Sequence, residues 1–413
     1  MRIQALRKSR SWSCSYLPSW ALYCVSFLWC FYVHQSSMYH SKIYYIQLLG
    51  EDWNLVARDW PTTLNGFAEM IERMLMESMG TSQVPDSLPR NFPFELVGSL
   101  QNSSRLELRC LLNKVSRSEV LRDDPFVSEQ LFGNDNRFPS KPFMDQQKPL
   151  ESCAVVSSST NILRSNSDSH DAVIRYNHAP TEGFEKDVGT KESFRFINGR
   201  VLRFFTTVTS PLWDFFANPF AKFWTKFSKD HPTVPVLHVP EFDKGEKPTS
   251  KAVPLAKIMR LFHGNPDRPF HYFTQEFSVQ AWDILQGFSH KFILPNKGAT
   301  AGFFGVVIFL PYCQTLRAFE FIPSFRWDPS GWNCHYYETA SFTNTCFMKS
   351  GHANSAQLNF LLRINEASKE NVYRNGYMSF SLLSREDLKK CESILQKWPF
   401  KEFVERWKQK KHL

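Results

Sequence analysis

Three short apolar runs lie between Cys153 and Asn198: CAVV at 153–156, DAVIRY at 171–176 and SFRFI at 193–197. Each is strand-length and rich in β-branched or aromatic residues. A continuous apolar run, rather than strict alternation, suits strands buried on both faces of a parallel sheet. Each run also ends in small polar residues: Ser157-Ser158-Ser159-Thr160, then Asn177, then Asn198. Ligands of open parallel sheets sit beyond the carboxyl ends of the strands, so these tips are expected to meet at one crevice. Hydroxyls, carboxamides and free loop N–H groups can hold a base, a ribose and a phosphate. On spacing alone, strand-terminating turns without a ligand remain an equal reading.

Other stretches carry other patterns. Gly66 to Met79 reads as an amphipathic helix with Phe67, Ile71, Met74 and Leu75 on one side. Thr300-Ala301-Gly302-Phe303-Phe304-Gly305 is a small-residue turn opening a long apolar helix. Its first N–H groups could meet an anion, or its glycines could allow a close contact between helix and sheet. Near the start, Arg2, Arg7, Lys8 and Arg10 precede an uncharged run from Ser11 to Val33. A helix of that length spans about 35 Å, enough for a bilayer core. The run continues through Trp29, Phe31 and Tyr32 instead of closing on small residues, which argues for an anchor over a cleaved signal peptide. The basic flank keeps residues 1–10 cytosolic and sends the remainder to the lumen. From 34 to 105 the chain lacks a sustained period and carries Pro61, Pro85, Pro89 and Pro93, as a stem would, with a loosely packed N-terminal subdomain as the alternative. Asn102-Ser103-Ser104 is a glycosylation sequon on the luminal side.

Composition narrows the function classes. The net charge of +9 suits an anionic partner. Its basic residues are scattered, so no nucleic-acid partner is expected. Nine cysteines point to a disulfide-forming compartment.

The wording of the central stretch goes further than its pattern. CAVVSS, HDAVIRYN followed by APT, and DVGTK resemble the large sialyl motif of the animal sialyltransferases, glycosyltransferase family 29, and most closely their β-galactoside α-2,6 branch. The stretch from Arg268 to Ser289, with its WDILQ helix, resembles the segment that precedes the small motif in that branch. Leu294 to Ser324 resembles the small motif itself. Cys334-His335-Tyr336-Tyr337-Glu338 is similar to the third motif, and Gly351-His352 stands where the last motif has its histidine.

The resemblance implies a doubly wound, mostly parallel α/β sheet of the variant GT-A, Rossmann-like type, occupying residues 106–413 behind the tail, anchor and stem. It implies a donor, CMP-sialic acid, held by Ser157, Ser158, Asn177, Asn198, Thr300, Gly302, Tyr336 and Glu338. His352 would be the base and His335 would lie near the donor phosphate. Disulfides would join Cys153 to Cys313 and Cys334 to Cys346, with Cys110 and Cys391 as a third pair. The acceptor would be a galactose-terminated glycan, attacked through O6, and the location a Golgi membrane with type II topology. The resemblance leaves room for a homodimer. No cofactor or metal is expected, since the Asp-x-Asp pair many nucleotide-sugar transferases use is absent from the chain.

Some residues depart from the family's pattern. Gln357 replaces the glutamate five residues after the motif histidine, Leu358 a basic residue, and Ala301 a hydroxyl residue. Arg200 follows Asn198-Gly199 where the α-2,6 enzymes have glutamine. These departures favour two alternatives: a transferase using GalNAc or another linkage, and a glycan-binding homologue without turnover.

Overall fold

The structure is a computed structural model. It describes residues 61–77, 96–116, 119, 139–142, 149–162, 165–198, 234–238, 271–273, 275–293, 299–325, 335–337 and 353–397. In chain order the helices are α1 (Leu64–Glu77), α2 (Arg105–Val115), α3 (Glu185–Val188), α4 (Gln275–Phe288), α5 (Ala301–Phe309), α6 (Asn354–Ile364), α7 (Lys369–Tyr373) and α8 (Arg385–Gln396). The strands are β1 (Leu150–Val156), β2 (Ala172–Tyr176), β3 (Phe194–Asn198), β4 (Val234–His238), β5 (His271–Phe273), β6 (Cys313–Phe319) and β7 (Tyr377–Ser381).

The three apolar runs become β1, β2 and β3, and all five residues of β2 are buried. The sheet order is β5-β4-β3-β2-β1-β6-β7, with β7 alone antiparallel to its neighbour. The chain thus winds outward from β1 to β5 and returns to the other side of β1 as β6. That reversal opens a crevice at the carboxyl ends of β1 and β6. Helix α5 is apolar all round and buries every residue from Phe303 to Phe309, as a helix enclosed in a core must. It packs against β1, β2, β3 and β6.

Polar residues set where several helices begin. Ser104 and Ser384 form capping boxes with Glu107 and Asp387, starting α2 and α8. Disulfides join Cys110 to Cys391, linking α2 to α8, and Cys153 to Cys313, linking β1 to β6.

One boundary differs from the sequence expectation. Helix α1, placed in the stem by its position, buries Phe67, Ala68, Ile71 and Leu75 completely and packs on α6 and α7. Tyr373 donates its hydroxyl to Glu72 at 2.9 Å. Residues 98–100 bond to the end of α4, with the Leu100 N–H donating to the Gly287 carbonyl at 2.7 Å. Burying each large apolar side chain contributes roughly 1.5–3 kcal/mol. That outweighs the marginal stability of an isolated helix this short, so α1 belongs to the folded unit. All the described residues fall in that one compact unit. The span 11–33 lies outside the described residues, among which no helix is long and apolar enough to cross a membrane.

Candidate functional site

The crevice is built first from the ends of β1 and β6. The Ser157 hydroxyl donates to the Glu320 carbonyl at 3.1 Å and accepts the Ser159 N–H at 3.2 Å. It therefore fastens the two strand ends together. Glu320 holds the left-handed conformation, φ 52°, that turns the chain out of β6. Ser158 contributes backbone: its carbonyl accepts the Tyr336 N–H at 3.1 Å.

The next wall comes from β2 and β3. Asn177 also has a positive φ, 48°, a conformation asparagine adopts more readily than most residues. Its Oδ1 accepts the Asn198 N–H at 3.1 Å, so the two asparagines expected at the crevice are directly joined. The Asn177 Nδ2 group has no acceptor among the described residues. Beneath them lies Arg195, whose Nη1 donates to the carbonyls of Asn177 at 3.1 Å and Ala179 at 2.8 Å. The same guanidinium pairs with Glu192 through two bonds, Nε to Oε1 at 2.6 Å and Nη2 to Oε2. Both side chains of that pair are 4% exposed.

A second arginine braces the loop before β3. Arg175 donates to the carbonyls of Lys191 at 3.0 Å and Val188 at 2.6 Å, and faces Asp168 at 3.6 Å. Asp168 in turn accepts from the N–H groups of Thr190 and Lys191 and from the Thr190 hydroxyl. Burial pushes the Asp168 carboxyl up, but those bonds and the Arg175 charge reverse this, so its pKa lies below the ordinary value. Gly189, φ 75°, passes so close that an added Cβ would fall 2.2 Å from Asp168 Oδ1. These contacts give the Asp-Val-Gly-Thr-Lys stretch its physical sense.

The segment 335–337 rests on both loops. Tyr336 donates its hydroxyl to the Pro180 carbonyl and meets Phe184 edge-on, with ring centroids 4.9 Å apart. Burial raises its phenol to about 12. Tyr337 stacks with His335 at 5.2 Å and meets His178 edge-on at 5.0 Å.

The opposite wall is the start of α5. Thr300 is its N-cap, accepting the Phe303 N–H on its hydroxyl at 3.2 Å. Both the N–H and the hydroxyl of Thr300 donate to Gln357 Oε1, at 2.9 and 3.2 Å. Thr300 is thus occupied within the protein, and the first-turn N–H groups of Ala301 and Gly302 are left without an acceptor among the described residues. The glycines serve packing. The Gly302 carbonyl accepts the Tyr176 hydroxyl at 3.1 Å. A Cβ on Gly302 would approach Phe321 to 2.8 Å, and one on Gly305 would approach the Tyr176 hydroxyl to 2.1 Å. Tyr176 immediately precedes Asn177, so this contact joins the α5 wall to the asparagine wall.

The fold therefore brings together Ser157, Ser158, Asn177, Asn198, His335, Tyr336, Thr300 and Gly302. Glu338, His352, Cys334 and Cys346 lie outside the described residues. Asn102 is exposed in the turn before α2, and Ser104 of its sequon caps that helix. Among the described residues no cluster of three or more His, Cys, Asp or Glu is placed to hold a metal. Sequence reading missed Arg175, Arg195, Glu192 and Asp168 as organisers of the crevice. The available signal was an arginine inside each of two otherwise apolar strands, since a charge is buried only when it is paired.

Comparison with known proteins bears on the same residues. The chain matches the family described as glycosyltransferase family 29 (sialyltransferase) over residues 127–369. It is 34% identical over 288 residues to beta-galactoside alpha-2,6-sialyltransferase 2 of Xenopus tropicalis, covering 67% of this chain and 52% of that protein. It is 30% identical over 282 residues to beta-galactoside alpha-2,6-sialyltransferase 1 of Mus musculus, covering 66% of this chain and 64% of the relative. The match thus spans about half the length of the first relative and under two thirds of the second. A solved mammalian sialyltransferase bound to Gal-beta-1-3GalNAc-ortho-nitrophenol aligns with a TM-score of 0.36 and 17% identity, over 68% of this chain and 90% of that one. That likeness is too loose to bear an argument.

Proposed function

Because the chain belongs to glycosyltransferase family 29, we propose that it transfers sialic acid from CMP-sialic acid to O6 of a terminal galactose. The observation that carries this reading is the meeting of Asn177, Asn198, His335, Tyr336 and the α5 start at the sheet's reversal point. The family match falls on these residues.

The polar tips hold the nucleotide. Asn177 offers its Nδ2 group, while the amides of Ala301 and Gly302, with His335, face the phosphate. The acceptor O6 attacks the anomeric carbon from the face opposite the phosphate, and His352 takes the hydroxyl proton. The bond from the anomeric carbon to the phosphate oxygen breaks, and CMP leaves with the electron pair, inverting the centre in one step. An imidazole with its ordinary pKa of about 6.5 is substantially neutral at mildly acidic to neutral pH. Charge on the leaving phosphate is met by fixed N–H donors, and the scheme needs no metal. GT-A-like chemistry of this kind suits a Golgi enzyme anchored through residues 11–33 with its catalytic unit in the lumen.

The test is CMP release from CMP-sialic acid with a panel of galactose- and GalNAc-terminated acceptors. Turnover is expected with galactosides. His352→Ala should lower it about 10²- to 10⁴-fold while leaving CMP affinity nearly intact. Full turnover in that variant would overturn the assigned base, and no turnover with any acceptor would favour the glycan-binding alternative.

A further inference from the structure

We infer that Gln357 is a positioning residue for the donor phosphate, fixing the start of α5 through Thr300 while adding no charge to it. The inference rests on the functional reading above. Gln357 replaces the glutamate that the family pattern places after the motif histidine, and the resemblance alone would have it act behind His352. The structure gives its carboxamide other work. Gln357 is 3% exposed, and its Oε1 accepts both donors of Thr300, the N–H at 2.9 Å and the hydroxyl at 3.2 Å. Its Nε2 donates to Asn354 Oδ1 at 2.9 Å. The Thr300 hydroxyl then accepts the Phe303 N–H. This chain of bonds runs from α6 to the first turn of α5 and fixes where the Ala301 and Gly302 amides stand.

Charge matters as much as geometry at this helix start. The first turn of α5 contains no acidic residue, so its positive end is left for a ligand. A glutamate at 357 could accept the same two bonds from Thr300, but would set a buried negative charge beside the amides that receive the phosphate. It would also turn an acceptor toward Asn354 Oδ1, where Gln357 now donates. Within a low-dielectric pocket a like charge one side chain away weakens anion binding on the order of 10- to 100-fold. Gln357 keeps the geometry and omits the repulsion.

The two roles for residue 357 predict opposite results. The test is titration of the full chain, wild type and variants, with CMP and with cytidine at neutral pH, alongside donor KM and kcat. Gln357→Glu is expected to weaken CMP about 10- to 100-fold, to leave cytidine within about twofold, and to raise donor KM without raising kcat. Lowering the pH should restore CMP binding in this variant as the new carboxyl protonates. Raised kcat with unchanged CMP affinity, or an unchanged ratio of CMP to cytidine affinity, overturns the inference. If Gln357→Glu does not fold, Gln357→Met decides: it removes both bonds to Thr300 and should weaken CMP about threefold or more, with no recovery at low pH. CMP affinity in that variant equal to wild type overturns the inference. Wild-type protein that binds neither ligand instead overturns the functional reading, and the inference falls with it.

Discussion

On the β2–β3 side of the crevice the loops are held by two buried arginines, whereas on the α5 side the same task falls to glycines and one carboxamide. Arg195 and Arg175 donate to four backbone carbonyls between Asn177 and Lys191. Their charges are answered by Glu192 and Asp168. The α5 wall instead depends on the close approach of Gly302 and Gly305 to Phe321 and Tyr176, and on Gln357. Loops that run past strand ends have carbonyls without ladder partners, and a planar guanidinium can satisfy several at once. A helix start has the opposite need, surplus N–H groups, so a neutral acceptor suffices. The difference predicts that the first wall fails through unpaired charge and the second through lost fit.

The largest effect should come from Arg195→Met. It takes the close guanidinium away from the buried Glu192 carboxylate and removes the donors of two carbonyls, so a loss of about 3–5 kcal/mol is expected. Urea unfolding measures it, and adding Glu192→Met should recover part of the loss. A loss below about 1 kcal/mol would place Arg195 among ordinary surface pairs.

A middling effect is expected at Gly305→Ala, where the added methyl must push α5 away from Tyr176 at about 1–3 kcal/mol. Tyr176→Phe removes the hydroxyl in the way and, alone, one hydrogen bond of about 1 kcal/mol. In a double-mutant cycle the pair should therefore be less than additive. Strict additivity would show that the helix finds room elsewhere.

The smallest effect should be Asp168→Asn, whose side chain is 37% exposed and so screened by solvent. The folded-state pKa of Asp168 is depressed, so its contribution is present above the ordinary carboxylate pKa of about 3.9 and is lost as pH falls through the folded value. The stability gap between wild type and variant should thus be open at neutral pH and close in acid. On the α5 side, Gln357→Leu should lower stability by an amount that does not change with pH, because no charge is involved. A gap at Asp168 that persists in acid would mean shape, not charge, holds that loop.

Much of this was legible along the chain because strand burial and strand ends are local properties. A run of β-branched and aromatic residues closing on Ser157, Asn177 or Asn198 can hardly be buried any other way, and β1, β2 and β3 form where those runs lie. The turn into α5 was legible as well, since Thr300 caps whatever helix follows it. Sequence position left α1 between a stem and an N-terminal subdomain, because its amphipathic face states only that it needs a partner and not that the partner is α6 and α7. The order of strands, the joining of Asn177 to Asn198 and the reach of Gln357 to Thr300 depend on residues brought together from far along the chain. Such contacts arise only once the sheet has wound outward and returned past β1. By itself the sequence determined which groups stand at the strand ends. Tertiary packing decided which of them face each other, and which bonds remain for a ligand, because a hydrogen-bonding group can serve a substrate only when no neighbour in the fold has already claimed it.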